Sequence, residues 1–108
     1  MNEERQIGRI VRAAARSSYG VAAVAGEGAL GRLAARLGID TGGVEVRRGA
    51  TLSVRVNVHL AAGIPATQVA ANVGEAVRYQ VQRETGRQID ELVVTVDGVN
   101  PVGAEPAP

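Results

Sequence analysis

The only histidine of the chain, His59, lies in the alternating segment TLSVRVNVHL and is the residue best suited to chemistry. It shares the polar side of that segment with Arg55 and Asn57. A catalytic histidine needs a nucleophile or a carboxylate beside it, and a metal site needs two or three further ligands. Asp97 or Glu45 could approach it across a sheet, but no spacing in the sequence requires this. The sequence therefore predicts a solvated surface histidine in a protein without catalytic residues, metal ligands or cofactors.

A G-x-G-x-x-G motif runs from Gly26 to Gly31, after a predicted strand. In dinucleotide-binding folds such glycines bring backbone N–H groups to a pyrophosphate, and a later acidic residue, here Glu45, binds the ribose. The chain is too short for the paired βαβ halves of that fold, the next helix is barely two turns, and Glu45 lies in a hairpin strand. With 14 glycines in 108 residues, chance matches are easy. The motif therefore indicates a flexible glycine-rich loop.

Two of these glycines, Gly28 and Gly31, also resemble the G-x-x-G loop with which KH domains clamp nucleotides. The KH loop lies between two helices, whereas this one follows a strand, and its first basic residue is Arg32. The predicted sheet also offers no aromatic side chain on which bases could stack. A small KH-like nucleic-acid-binding module stays as the alternative function.

The polar side chains of the predicted sheet form the candidate interaction face. An open face with unpaired edge strands suits self-association, because an edge presents free N–H and C=O groups to another chain. Thr95 and Val93 are expected to add one polar and one apolar element. The candidate interaction residues are Arg47, Ser53, Arg55, Asn57 and His59, with Glu45 beside them.

These residues are positioned by the stretch Thr51–Thr95. Its first part, Thr51–Leu60, alternates apolar and polar side chains, which is typical of a strand with one buried face. Pro65 suits the first turn of a helix, because its φ is fixed and its missing N–H needs no partner there. Valines then recur every fourth residue over Val69–Val81, and Gly86 ends the helix. The segment QIDELVVTVDG predicts another strand.

The first half of the chain predicts two helices and two strands. Asn2 caps the first helix, whose apolar residues from Ile7 to Ser18 fall on one side, and Tyr19-Gly20 ends it. The other predicted elements are a strand over Val21–Ala25, a helix over Ala29–Leu37 with Leu30, Leu33, Ala34 and Leu37 facing inward, a glycine ending at Gly38, and a strand over Val44–Arg47.

A three-residue loop, Arg48-Gly49-Ala50, is predicted to join the two hairpin strands. It places Arg47 opposite Thr51, Val46 opposite Leu52 and Val44 opposite Val54. Every valine then lies on the buried side, whereas a two-residue loop would turn one strand over.

The predicted fold is α+β, with the order α-β-α-β-β-α-β. A single helical crossover makes the last strand parallel to Thr51–Leu60, with a right-handed connection. We therefore expect a mixed sheet of three to four strands with the helices on one face, which is a two-layer sandwich. Residues 1–99 are predicted to form one domain. The tail NPVGAEPAP, residues 100–108, has three prolines and no periodicity, so it is predicted to be disordered.

Composition narrows the function classes. A formal net charge of +1 argues against strong non-specific binding to nucleic acid or to an anionic membrane. All twelve basic residues are Arg, which fits an arginine-rich proteome more simply than phosphate recognition. The absence of cysteine excludes disulfides and thiolate sites. No stretch reaches the roughly 18 apolar residues that span a bilayer, and MNEERQ is not a signal peptide, so we expect a cytosolic protein.

Several phrases resemble the alkaline shock protein family, which comprises bacterial envelope stress response proteins. The matching phrases are GVEV, LSVRVNVHLAAGIP, VAANVGEAVRYQV, Thr85-Gly86 and the closing VVTVDGV, and the similarity covers Ile10 to Val99. The resemblance implies a non-enzymatic cytoplasmic protein that self-associates, is held near the membrane by an anchored partner, and contributes to cell-envelope homeostasis. The family pattern offers no functional residue to carry over.

Overall fold

Two helices and four strands lie within residues 3–26, 33, 36–37 and 43–97, the residues that the computed structural model describes. The predicted strands and the two longer predicted helices are all present, with ends close to those expected. The elements are α1 (Glu3–Arg16), β1 (Val21–Val24), β2 (Val44–Arg48), β3 (Leu52–Leu60), α2 (Ala66–Thr85) and β4 (Glu91–Asp97).

The central strand is β3, because both of its edges are paired. β4 runs parallel to it, with Ser53 opposite Glu91 and His59 opposite Asp97. β2 and β1 are antiparallel to it, and β1 pairs with Val58–Leu60, beyond the end of β2. β4 pairs with β3 residues that also pair with β1 and with β3 residues that also pair with β2, so β4 occupies one edge of β3 over that length. β1 and β2 must therefore lie one after the other along the opposite edge of β3. The predicted hairpin and the parallel last strand are confirmed, and the sheet is mixed.

The sheet has one covered face. α1 packs over β1 and β2, and α2 packs over β4. Successive side chains of a strand point to opposite faces. The β3 residues under the helices are at most 1% exposed; they are Leu52, Val54, Val56 and Val58. The two-layer α+β arrangement with helices on one face is therefore confirmed for the described residues.

The β2–β3 loop has the predicted length but lies one residue later in the chain. It comprises residues 49–51, so the predicted pairing was wrong by two residues. An even shift keeps the valines on the buried face, so alternation could not distinguish the two registers. The observed register puts Arg48 on the helix side, where its Nη1 donates to Glu3 Oε1 at 2.8 Å. The observed pairs are Arg48 with Leu52, Arg47 with Ser53, Val46 with Val54 and Val44 with Val56.

α2 has the predicted ends and the predicted buried stripe. Pro65 precedes its first residue with φ −63° and ψ 137°, and Gly86 follows its last residue in the left-handed region at φ 77°. The Gly86 N–H donates to the carbonyl of Gln82 at 2.9 Å. Neither helix of the described part is long and apolar enough to cross a membrane. The fully buried side chains of α2 are Val69, Val73, Val77 and Val81.

α1 is held by its buried face and by an acidic first turn. Ile7, Val11 and Ala15 are fully buried. Glu3 accepts hydrogen bonds from Arg48 at 2.8 Å and from Arg87 at 3.2 Å. Partly exposed ion pairs of this kind contribute only about 0–1 kcal/mol each. Their effect is mainly positional, because they tie the start of α1 to β2 and to the α2–β4 connection.

Leu33 and Leu37 do not face inward. They are 51% and 68% exposed, so that prediction was wrong. The core side of β3 is already closed by α1 and α2, which leaves little apolar surface for further side chains. The Asn2 cap, the rest of the predicted helix over Ala29–Leu37, its ending at Gly38, and residues 98–108 lie outside the described residues.

β1 and β2 meet end to end beside Asn57 of β3. The Asn57 N–H donates to the Gly43 carbonyl at 2.8 Å, and its carbonyl accepts from the Ala25 N–H at 2.9 Å. A Cβ atom on Gly43 would collide with the carbonyl oxygen of Ala25. Gly43 is therefore required by a close backbone approach.

Replacing Gly43 by Ala should lower the free energy of unfolding by about 1–3 kcal/mol, because the added methyl group must displace the Ala25 backbone. Chemical denaturation followed by circular dichroism measures this loss. Gly49→Ala is the matched control, since a Cβ atom there meets nothing within 4 Å. It should change stability by less than about 0.5 kcal/mol. Equal stabilities of the two variants would contradict the end-to-end packing of β1 and β2.

Asp90 joins the starts of β3 and β4 by two reciprocal hydrogen bonds. Its carboxylate accepts from the Leu52 N–H at 2.7 Å, and its own N–H donates to the Leu52 carbonyl at 2.8 Å. The sequence suggests only a strand-edge charge at this position. The structure gives it a specific role in aligning the two parallel strands.

Asp90→Ala should cost about 1–3 kcal/mol of stability, because the Leu52 N–H loses its acceptor at a buried position. Asp90→Asn keeps an acceptor oxygen and should lose clearly less. Denaturation of the two variants beside the wild-type chain provides the comparison. If both lose the same amount, the hydrogen bond to Leu52 is not what Asp90 contributes.

Candidate interaction face

One face of the sheet has no described helix over it, and we call it the open face. It consists of the β3 side chains between the buried ones, together with their neighbours on β1, β2 and β4. Cross-strand neighbours on one face lie about 4.5–5.5 Å apart. The rows of neighbours across the strands are Glu45–Arg55–Val93, Arg47–Ser53–Glu91, Asn57–Thr95 and Ala23–His59–Asp97.

All the predicted interaction residues lie together on the open face, as does Val93. That they bind a partner stays a prediction. Glu91 also belongs to the face, although it is not among the predicted interaction residues. Its place follows from the parallel register, in which the segment ELVVTVD aligns with SVRVNVH. The predicted residues found on the face are Arg47, Ser53, Arg55, Asn57 and His59.

Several charges of the open face are satisfied within it. Arg47 contacts Glu45 through Nη2 at 3.1 Å and donates from Nε at 3.2 Å. The Ser53 hydroxyl donates to Glu91 at 3.4 Å. Arg55 differs, because within the described part of the chain its guanidinium makes no hydrogen bond or ion pair. Among the described residues, the Arg55 guanidinium is therefore available to bind another molecule.

Arg55 and Val93 line a depression of about 190 Å³. Val93 is 40% exposed, which makes it the exposed large apolar residue of this face. The walls of the depression carry charges of both signs. The other lining residues are Glu45, Arg47, Ser53, Val54 and Glu91.

His59 is more covered than predicted. Its side chain is only 16% exposed, and its Nδ1 atom is buried without a hydrogen-bond partner. Asp97 Oδ2 lies 3.7 Å from Nδ1, which is too far for a hydrogen bond. The prediction of a solvated histidine was wrong, because Ala23 and Asp97 flank it on the adjacent strands. No group of three His, Cys, Asp or Glu residues that could hold a metal ion occurs among the described residues.

The glycine motif contributes little to the described structure. Gly26 has a left-handed φ of 84°, but Glu27–Gly31 lie outside the described residues, so neither the dinucleotide nor the KH hypothesis has a described loop to rest on. Glu45, the proposed ribose ligand, is paired with Arg47 instead. The two tyrosines of the chain lie after α1 and on α2, away from the sheet face that would stack bases.

The fold resembles solved structures of the C-terminal domain of MamM. A doubly substituted variant has a TM-score of 0.63 and 13% identity, over 96% of this chain and 92% of that chain. A zinc form of another variant has a TM-score of 0.56 and 17% identity, over 92% and 89% of the two chains. A manganese form of a third has a TM-score of 0.56 and 18% identity, over 93% and 89%. At such identities the similarity shows the fold alone.

The sequence comparisons identify a family. No curated protein matches the sequence. The sequence model of the alkaline shock protein 23 family, described as having a cell envelope-related function, matches residues 2–101. This match confirms the resemblance and extends it beyond the phrases that suggested it. The chain therefore belongs to the alkaline shock protein 23 family, whose function is related to the cell envelope.

Proposed function

We propose that the chain is a non-enzymatic envelope stress response protein that acts by self-association and by binding to a membrane-anchored partner. Family membership supplies the coarser function, which is related to the cell envelope. The observation that supports the finer one is the open face, where Arg55, which has no partner within the described part of the chain, lies beside the exposed Val93. In this proposal the protein is cytoplasmic and reaches the membrane through its partner.

Arg55 and Val93 are the centre of the proposed contact. An arginine without an internal partner can bind a carboxylate of another protein through two parallel hydrogen bonds. Arginine is also enriched among the residues that dominate binding energies at interfaces. Val93 adds apolar area next to the charge, which is the composition expected at the core of a contact surface.

The charges of the open face are complementary to those of a second copy. A two-fold axis along β3, between two facing sheets, exchanges the β2 side with the β4 side. Arg47 of one copy then lies over Glu91 of the other, and this contact occurs twice. Arg55 lies on the axis and so faces Arg55 of the second copy, and the Glu45 side chains of the two copies, one strand spacing to either side of the axis, offset these like charges. Such opposite charges fix the register of an interface and favour association.

Arg55→Glu should weaken self-association at least about tenfold, because it places a carboxylate among the acidic residues Glu45 and Glu91. Sedimentation velocity over a range of protein concentrations measures the change. Arg55 is exposed, so the variant should keep its circular dichroism spectrum and its stability.

Arg5→Glu is the matched control, since it makes the same charge change at an exposed position of α1 on the helical side. It should associate like the wild-type chain. Equal association of all three proteins would show that the open face is not the self-association surface.

The cellular role can be tested with the same pair of variants. In a bacterial strain that lacks this protein, we expect the wild-type chain and Arg5→Glu to restore growth under envelope stress, whereas Arg55→Glu does not. Fractionation should find the two active proteins with the membrane and Arg55→Glu in the supernatant. Full restoration by Arg55→Glu would contradict the proposed function.

A further inference from the structure

The only two aromatic residues of the chain, Tyr19 and Tyr79, border one surface depression. They are 72% and 58% exposed. We call this depression of about 500 Å³ the tyrosine cleft; its lining is completed by Ser18, Asn72, Glu75 and Ala76. Its volume falls within the roughly 300–1,000 Å³ of typical ligand sites. Tyr19 follows α1 and Tyr79 lies on α2, so the cleft belongs to the helical layer and not to the open face.

The Tyr19 backbone and the Tyr79 side chain each contact a polar side chain of α2. The Asn72 side chain donates to the Tyr19 carbonyl at 3.1 Å and accepts from Gln68 at 3.0 Å. The Arg83 guanidinium lies over the Tyr79 ring, 5.9 Å from its centroid, and donates to the Tyr79 hydroxyl oxygen at 3.4 Å.

A polyproline II segment fits the chemistry of the tyrosine cleft. Such a segment has no internal hydrogen bonds, so its carbonyl groups seek external donors, and aromatic-lined grooves bind it. Because the Tyr79 hydroxyl oxygen accepts from Arg83, its proton can be donated to a ligand carbonyl. The small apolar side chain of Ala76 also lines the cleft.

The sequence beyond the family match has the proline-rich composition that such ligands share. The match ends at residue 101, and residues 105–108 read Glu-Pro-Ala-Pro. Glu105 adds a negative charge that is complementary to Arg83, while Glu75 on the cleft wall directs it away from that side. We propose that the tyrosine cleft binds the Glu105–Pro108 segment of a second copy of this chain.

This contact rests on the self-association proposed above and adds a second surface to it. A segment of one copy that enters the cleft of the next makes a head-to-tail contact, which leaves a free cleft at one end and a free segment at the other. Repetition of this contact builds a ring or an open chain, and blocking either half of the contact should stop it.

Two full-length variants separate the two halves of the contact. Tyr79→Ala removes the cleft ring and keeps the segment, while the double substitution Pro106→Ala with Pro108→Ala keeps the cleft and removes the prolines. Sedimentation velocity should show association at least about tenfold weaker for each variant alone, as is typical for loss of a dominant contact residue. Tyr79→Phe keeps the ring but loses the hydroxyl donor, so its loss should be smaller.

Mixing the two variants gives the decisive result. The intact segment of Tyr79→Ala can enter the intact cleft of the proline variant, so a one-to-one complex should form at concentrations where each variant alone is a monomer. Failure of the mixture to form this complex would overturn the proposal. A second result would also overturn it: the proline substitutions change the tyrosine fluorescence at every protein concentration without changing the mass. Such a change would show that the segment binds the cleft of its own chain.

The outcomes also distinguish this proposal from the proposed function. If Arg55→Glu loses association while Tyr79→Ala and the proline variant keep it, the cleft contact is overturned and the open face remains supported as the self-association surface. The reverse pattern supports the cleft and overturns the open face. If Tyr79→Ala has an altered circular dichroism spectrum, the proline variant mixed with Tyr19→Ala replaces it in the same test.

Discussion

The structure depends on the pairing of β3 along both of its edges. Three strands take their positions from it, and its buried residues from Leu52 to Val58 form the floor on which both helices pack. An antiparallel hairpin fixes one edge, and the crossover through α2 fixes the other, because α2 must return the chain to the start of β3 before β4 can run parallel. At that point Asp90 makes two hydrogen bonds to the backbone of Leu52. Since every side chain of β3 belongs to one face or the other, the same alternation that builds the core also assembles the open face.

The core is made of small aliphatic side chains, and this affects where binding residues can lie. With no Phe or Trp, the buried positions are filled largely by valine and alanine. Close packing of this kind leaves little tolerance for added atoms, as the collision of a Gly43 side chain with Ala25 illustrates. The two tyrosines are not used as core residues at all. Their exposed rings are therefore available for the contact proposed at the tyrosine cleft.

Much of the fold could be predicted from the sequence, because strand alternation, Pro65, Gly86 and the four-residue valine spacing each dictate one local conformation. The faces of the sheet followed from the same pattern. The hairpin register could not be predicted, because two registers that differ by two residues bury the same valines. The observed register is the one in which Arg48 contacts Glu3, a residue distant in sequence. His59 was misjudged for a similar reason, since its coverage comes from Ala23 and Asp97 on strands distant in sequence. The tyrosine cleft likewise brings together residues sixty positions apart, and no local sequence pattern predicts it.

The open face and the tyrosine cleft lie on opposite layers, so they can be occupied at the same time. Their symmetries differ in a way that matters for assembly. Contact of two open faces about an axis along β3 is isologous and closes at two copies, whereas entry of a proline segment into the cleft of the next copy is heterologous and repeats from copy to copy, as a ring or as an open chain. A dimer formed through the open faces would carry two clefts and two segments, so each dimer could join neighbours on both sides. The physical requirement for an extended assembly is then met by two small contacts, neither of which has to be strong alone, because linked contacts reinforce one another through their effective concentration.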